Sequence, residues 1–354
     1  MEMNRRHFAK LGGAAALSVL TLPVASAGQK VGMLDPLRYV DPELRPAARL
    51  VLDNFAKMPP LTDQSIVAAR AWALPESPLL PEIPIEMRKV PVAKGVPDVA
   101  VYIVNAKAGE KRPGILHTHG GGYILGSAKQ ERRRLQEVAR DLDCVILSVE
   151  YRLAPETRFT GSIEDNYAGL RWMYTQAAEL GIDRARIAVM GESAGGGHAA
   201  LLALAARDRG EIPLVLQVLV YPMLDDRTGS SRPVPPFIGT ILWTAESNRF
   251  GWQSFLGQAP GGPHVPAAGV PARVANLEGL APAFIGVGGV DLFVSEDIDY
   301  ARRLTEAGVP TELVVIPGAF HGFDGVASET AIAKRFTLAK MNALRRAFGQ
   351  PIPA

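Results

Sequence analysis

The sequence holds a single cysteine among 354 residues. One thiol forms no intrachain disulfide and supplies no multi-cysteine zinc site. An excess of one charge is also missing: Lys plus Arg number 38 and Asp plus Glu 36, for a net +2. Removing residues 1–27 takes away Arg5, Arg6, Lys10 and Glu2, which leaves 35 charges of each sign. Such a chain has no overall field to draw nucleic acid or an anionic membrane. There are no internal repeats, low-complexity tracts or long charge blocks, and 47% of the residues are hydrophobic, so disorder is excluded as the main state. What remains is a soluble globular protein with a substantial core, formed as one α/β unit or two domains.

The N-terminus reads as an address. Asn4-Arg5-Arg6-His7-Phe8-Ala9-Lys10 precedes a largely apolar stretch, Leu11 to Val24, and then Ala25-Ser26-Ala27. A charged start, a short apolar middle and a small-residue end make a secretory signal, with cleavage expected after Ala27. The apolar stretch falls short of the roughly 20 residues of a membrane span. The paired arginines resemble a twin-arginine signal, which implies a periplasmic or secreted protein. An amphipathic helix or uncleaved anchor is the competing reading.

Residues 33–85 are punctuated by nine prolines with short helical patterns such as Ala47–Lys57 between them, so a small helical or irregular appendage is expected. From Glu86 the character changes. Strands are expected at 86–92, 99–105, Gly114–His117, Cys144–Val149, Arg186–Met190, Val215–Tyr221, Ala283–Val287 and Leu313–Ile316. Leu135, Val138, Ala139 and Leu142 mark one intervening helix; Ile163, Tyr167, Leu170 and Tyr174 mark another. This alternation predicts a mostly parallel sheet with helices on both faces. Residues 223–270, rich in Pro, Gly and aromatics, read as an insertion over the edge where ligands bind in such sheets. Cys144 lies in an apolar run and reads as buried and unreactive.

Gly191-Glu192-Ser193-Ala194-Gly195 matches G-x-S-x-G. In that pattern a sharp strand-to-helix turn strains the serine backbone, so small residues must flank it. Composition alone yields such a match about a few tenths of a time in a chain of this size, so context matters. Here a strand candidate precedes it and an Ala/Leu-rich helix, Ala194–Arg209, follows. A plain glycine-rich turn is the competing reading. His119-Gly120-Gly121-Gly122-Tyr123 follows an earlier strand and offers close-lying backbone amides. Gly121, Gly122 and Ala194 are therefore the candidate donors to an oxyanion.

A serine hydroxyl needs an imidazole to take its proton and a carboxylate to orient that imidazole. Of six histidines, His7 belongs to the signal, His117 and His119 lie before the serine, His198 sits one turn along the elbow's own helix, and His264 lies in the insertion. His321 follows the last strand, which places it at the sheet's C-terminal edge. Asp291 follows the strand Ala283–Val287 at the same edge. Glu296, Asp297 and Asp299 compete with it, but they fall at the start of the expected helix Ile298–Ala307, where acids also serve as N-terminal charges. The order Ser193, Asp291, His321 fits α/β-hydrolases.

With these residues, and with Tyr151-Arg-Leu-Ala-Pro-Glu156 and His321-Gly-Phe323, the chain resembles the bacterial hormone-sensitive-lipase family of α/β-hydrolases. The resemblance spans roughly residues 86–345. It implies an α/β-hydrolase fold with an eight-stranded sheet, an N-terminal cap segment (28–85), and a catalytic domain (86–354) that carries a second cap insertion. It implies a carboxylesterase for short- to medium-chain acyl esters, with Ser193 as nucleophile, His321 as base, Asp291 as its partner, the three amides as oxyanion donors, and no metal or organic cofactor. The partner is a small-molecule ester; oligomeric state is left open. Glu192 stands where many members have Asp, and Asp291-Leu-Phe-Val-Ser-Glu296 departs from the commoner pattern with Pro and Arg. An amidase or lactonase could use the same triad. Gibberellin receptors resemble the family without the histidine, so a non-catalytic binding protein is a further alternative, and His321 argues against it.

Overall fold

The computed structural model describes residues 35–57, 59–71 and 77–353. The expected signal at 1–27 lies outside them. Eight strands run β1 (Ile85–Val90), β2 (Val99–Val104), β3 (Arg112–Thr118), β4 (Val145–Glu150), β5 (Ile182–Glu192), β6 (Leu216–Val220), β7 (Ala283–Gly288) and β8 (Thr311–Ile316). They form one sheet in the order β1-β2-β4-β3-β5-β6-β7-β8. β2 runs antiparallel to both neighbours, and every pairing from β4 through β8 is parallel. The helices are α1 (Arg45–Phe55), α2 (Ile66–Ala71), α3 (Arg132–Leu142), α4 (Phe159–Thr175), α5 (Ala177–Leu180) and α6 (Ala194–Arg209). After them come α7 (Ala245–Leu256), α8 (Val294–Glu306), α9 (Phe323–Val326) and α10 (Ala331–Ala347).

The central strands are apolar at consecutive positions because both faces are covered. Successive side chains in a strand point to opposite sides. Val145, Leu147 and Val149 accordingly join one core, and Cys144 and Ile146 join the other. Ile187 and Val189 of β5 part from Ala188 and Met190 in the same way. Leu135, Val138, Ala139 and Leu142 of α3 are all buried, as their spacing predicts, and so is Cys144.

Most boundaries shift by one or two residues, and two shift by four. β5 begins at Ile182 rather than Arg186, because Ile182 pairs with Arg112 across an irregularity in the β3 register. α8 begins at Val294 rather than Ile298, so Glu296 and Asp297 sit in its first turn, at the helix start as expected, and both are buried. Glu296 is held there by the insertion: its Oε1 accepts from the amides of Leu224 and Asp225 at 2.7 and 3.0 Å. Burial, and then the nearby Asp225, raise its carboxyl well above the ordinary range.

The N-terminal segment is tied to the sheet's C-terminal edge at two places. The Asp41 amide donates to Gly318 O at 3.0 Å, in the loop that follows β8. Arg70 of α2 donates to Ile124 O, Ala154 O and both oxygens of Glu156 at 2.7–2.8 Å. One guanidinium thus joins α2 to the glycine loop and to the Tyr151–Glu156 turn. That turn is anchored by arginine, with Arg152 forking onto Asp165.

Candidate active site

Ser193 occupies the single residue between β5 and α6, with φ 58° and ψ −124°. Such backbone costs on the order of 1–3 kcal/mol and persists only where its surroundings fix it. Here they do. The Ser193 amide donates to Val220 O at 2.9 Å, and its carbonyl accepts from Met223 N at 2.9 Å and Gly197 N at 3.0 Å. The flanking glycines are sterically required. A Cβ on Gly191 would lie 2.2 Å from Gly195 O, and one on Gly195 would lie 2.0 Å from Thr118 O.

The other two expected residues meet it. His321, five residues beyond β8, places Nε2 3.0 Å from Ser193 Oγ and Nδ1 2.8 Å from Asp291 Oδ2. Asp291, three residues beyond β7, accepts from the Phe293 amide through Oδ1 at 3.0 Å. The carboxylate makes Nδ1–H the donor, so Nε2 is free to accept the serine proton. Asp291 is fully buried, and Ser193 and His321 are 7% and 5% exposed. Tyr221 and Phe293 meet the imidazole edge-on, with ring centroids 4.8 and 5.2 Å away. Tyr221 is itself pinned where its hydroxyl donates to Asp324 Oδ1 at 2.8 Å.

The glycine loop lies alongside. A Cβ on Gly120 would sit 3.5 Å from Ser193 Cβ. Gly121 and Gly122 hold φ +120° and +61°, and a Cβ on Gly121 would strike Leu125 O at 2.1 Å. Their amides and that of Ala194 have no hydrogen-bond acceptor among the described residues. Three unspent backbone donors beside a serine at a helix N-terminus can stabilise an oxyanion.

His117, His119 and His198 are engaged or shielded, and His264 is exposed on the insertion. Burial pushes His198 down to about 3 and His119 to about 4, so both stay neutral near pH 7. His198 packs among Tyr123, Tyr151 and Phe255. His117 belongs to a buried chain that sequence inspection missed. Its Nδ1 meets Ser148 Oγ at 2.9 Å, its Nε2 meets Glu192 Oε2 at 2.9 Å, and Glu192 Oε1 accepts from Arg134 at 2.6 Å. Burial alone would raise the Glu192 carboxyl, but Arg134 and His117 hold it well below its ordinary value. Its stabilisation is therefore present above the ordinary value of 4.5 and is lost only as pH falls through the lower folded one. Breaking a buried pair from one side costs about 3–5 kcal/mol; Arg134, with 32% of its side chain exposed, places this case at the lower end. Among the described residues, no three or more His, Cys, Asp and Glu side chains gather to hold a metal.

A mostly parallel sheet with serine, acid and histidine on the loops after β5, β7 and β8 defines a hydrolase of the α/β class. The family model described as alpha/beta hydrolase fold matches residues 115–325. The chain belongs to the α/β-hydrolase family, in its bacterial hormone-sensitive-lipase branch. It is similar to carboxylesterase NlhH of Mycobacterium tuberculosis, at 36% identity over 319 residues that cover 86% of this chain and 97% of that protein. Esterase LipI of the same species is 33% identical over 79% of this chain and 87% of its own length. Among solved structures, a bacterial heroin esterase superposes with a TM-score of 0.77 at 34% identity, covering 88% of this chain and 98% of that one.

Proposed function

We propose that the protein is a serine carboxylesterase acting on short- to medium-chain acyl esters through an acyl-serine. Ser193 Oγ attacks the ester carbonyl as His321 Nε2 takes its proton, and Asp291 holds the resulting imidazolium. The amides of Gly121, Gly122 and Ala194 receive the oxyanion. His321 then returns the proton to the departing alkoxide, and water admitted to the same base hydrolyses the acyl-enzyme. The observation that carries this reading is the unbroken chain Ser193 Oγ, His321, Asp291 at 3.0 and 2.8 Å. The N-terminal segment and the insertion between β6 and β7 serve as the cap, a role supported by the Arg70 and Asp41 ties.

The test is hydrolysis of p-nitrophenyl acetate, butyrate and octanoate beside a matched anilide and a lactone. Ester turnover far above the anilide and the lactone is expected; a preference for either of those overturns the ester assignment. Helices among the described residues are too short or too polar to cross a membrane. We also propose that the chain is exported through its twin-arginine-like N-terminus, a reading supported by Arg5-Arg6 and Ala25-Ser26-Ala27. N-terminal sequencing of the exported protein should begin at Gly28, whereas a retained Met1 contradicts it.

A further inference from the structure

We infer that a strained turn at Leu242–Trp243 selects the substrate, with Trp243 limiting the acyl chain and Leu242 the alcohol; this rests on Ser193 being the nucleophile. The Trp243 amide donates to Ile241 O at 2.9 Å around Leu242, whose φ is +67°. A three-residue turn with that sign at its centre is rare and strained for any side chain. A leucine held there, when glycine would fit freely, points to a use for the side chain.

The segment touches the acid loop, the histidine loop and the glycine loop. Gly239 N–H donates to Val290 O at 3.0 Å, next to Asp291. Leu242 Cδ2 would lie 2.7 Å from a Cβ on Gly322, the residue after His321. The Trp243 ring edge fills the space a Cβ on Gly122 would need, with Cη2 at 2.1 Å from that position. Trp243 cannot swing away: its Nε1–H donates to Asn248 Oδ1 at 3.1 Å, and Asn248 Nδ2 donates to Thr228 O at 2.8 Å.

Reaction chemistry assigns the two walls. The leaving oxygen must receive its proton from His321 Nε2, so the alcohol lies on the His321 side, against Leu242. The carbonyl oxygen faces the glycine-loop amides. The acyl chain therefore leaves the reaction centre away from His321, along Gly122, and meets the fixed indole of Trp243.

Two ester series separate the walls. One varies the acyl group on p-nitrophenol from acetate to octanoate; the other varies the alcohol of acetate esters from ethanol to benzyl alcohol. Trp243→Leu and Trp243→Ala should raise the octanoate-to-acetate ratio of kcat/KM by about tenfold or more, the scale of discrimination an apolar pocket supplies per methylene or two. They should leave the alcohol series within about twofold. Leu242→Gly, which suits the backbone of the turn, should shift the benzyl-to-ethyl ratio by about fivefold and leave the acyl series within about twofold. Trp243→Leu and Leu242→Gly keep the test open should Trp243→Ala fail to fold. Unmoved ratios in folded variants, or a Trp243 effect on the alcohol series alone, overturn the inference. A wild type without esterase activity, or one whose activity survives loss of Ser193, instead overturns the underlying function.

Discussion

Ser193→Ala is expected to lower kcat by on the order of 10⁶ while substrate still binds, because the step that forms the acyl-enzyme has lost its attacking atom. The three amides and the pocket persist, so a residue of roughly 10³–10⁴ over water should remain. Alanine fits the strained backbone no worse than serine, and the Ser193 amide and carbonyl keep their bonds to Val220, Met223 and Gly197. The folded structure should therefore survive, and steady-state kinetics beside thermal unfolding will separate lost chemistry from lost fold. A fall of less than about a hundredfold would mean that another group performs the attack.

Asp291→Asn should cost on the order of 10⁴ in kcat with little change in KM. The reason lies in the Phe293 amide, which donates to Oδ1 and thereby fixes which oxygen faces the imidazole. An asparagine that keeps this bond turns its NH₂ toward His321 Nδ1. That nitrogen must then accept, Nε2 must carry the proton, and the ring presents a donor to Ser193 instead of a base. An asparagine flipped the other way sets two donors, its NH₂ and the Phe293 amide, against each other in a fully buried place, so it gains nothing. Activity within about tenfold of wild type would show that Asp291 is not the orienting acid.

Much of this was legible in the sequence because local rules carry it. Apolar runs bounded by turns marked all eight strands, and the G-x-S-x-G steric pattern located Ser193 between a strand and a helix. Placement after the last two parallel strands singled out His321 and put Asp291 on the same edge, and the helix expected to follow set Glu296, Asp297 and Asp299 aside. What escaped depends on contacts between residues far apart in the chain. Nothing near Glu192 signals that His117, 75 residues earlier, and Arg134, 58 earlier, will meet its carboxylate. Glu296 and Asp297 read only as N-terminal charges of a helix, and their burial escaped because the insertion that covers Glu296 has no local pattern that predicts its path. Tyr221, Phe293 and the Leu242–Trp243 turn were likewise invisible: an aromatic at a strand end or in a loop reads the same whether it meets an imidazole or only packs. The oxyanion loop stood between these cases, suggested by three glycines and made specific by the elbow.

Labelling with a fluorophosphonate, followed by peptide mass mapping, tests the central claim most directly, because the reagent bonds covalently to a serine only where a base and an oxyanion pocket activate it. One phosphonyl group per chain is expected, on Ser193, with none on Ser193→Ala and strongly slowed labelling of Asp291→Asn. An adduct on another residue, or an unlabelled chain that nonetheless hydrolyses esters, would contradict it.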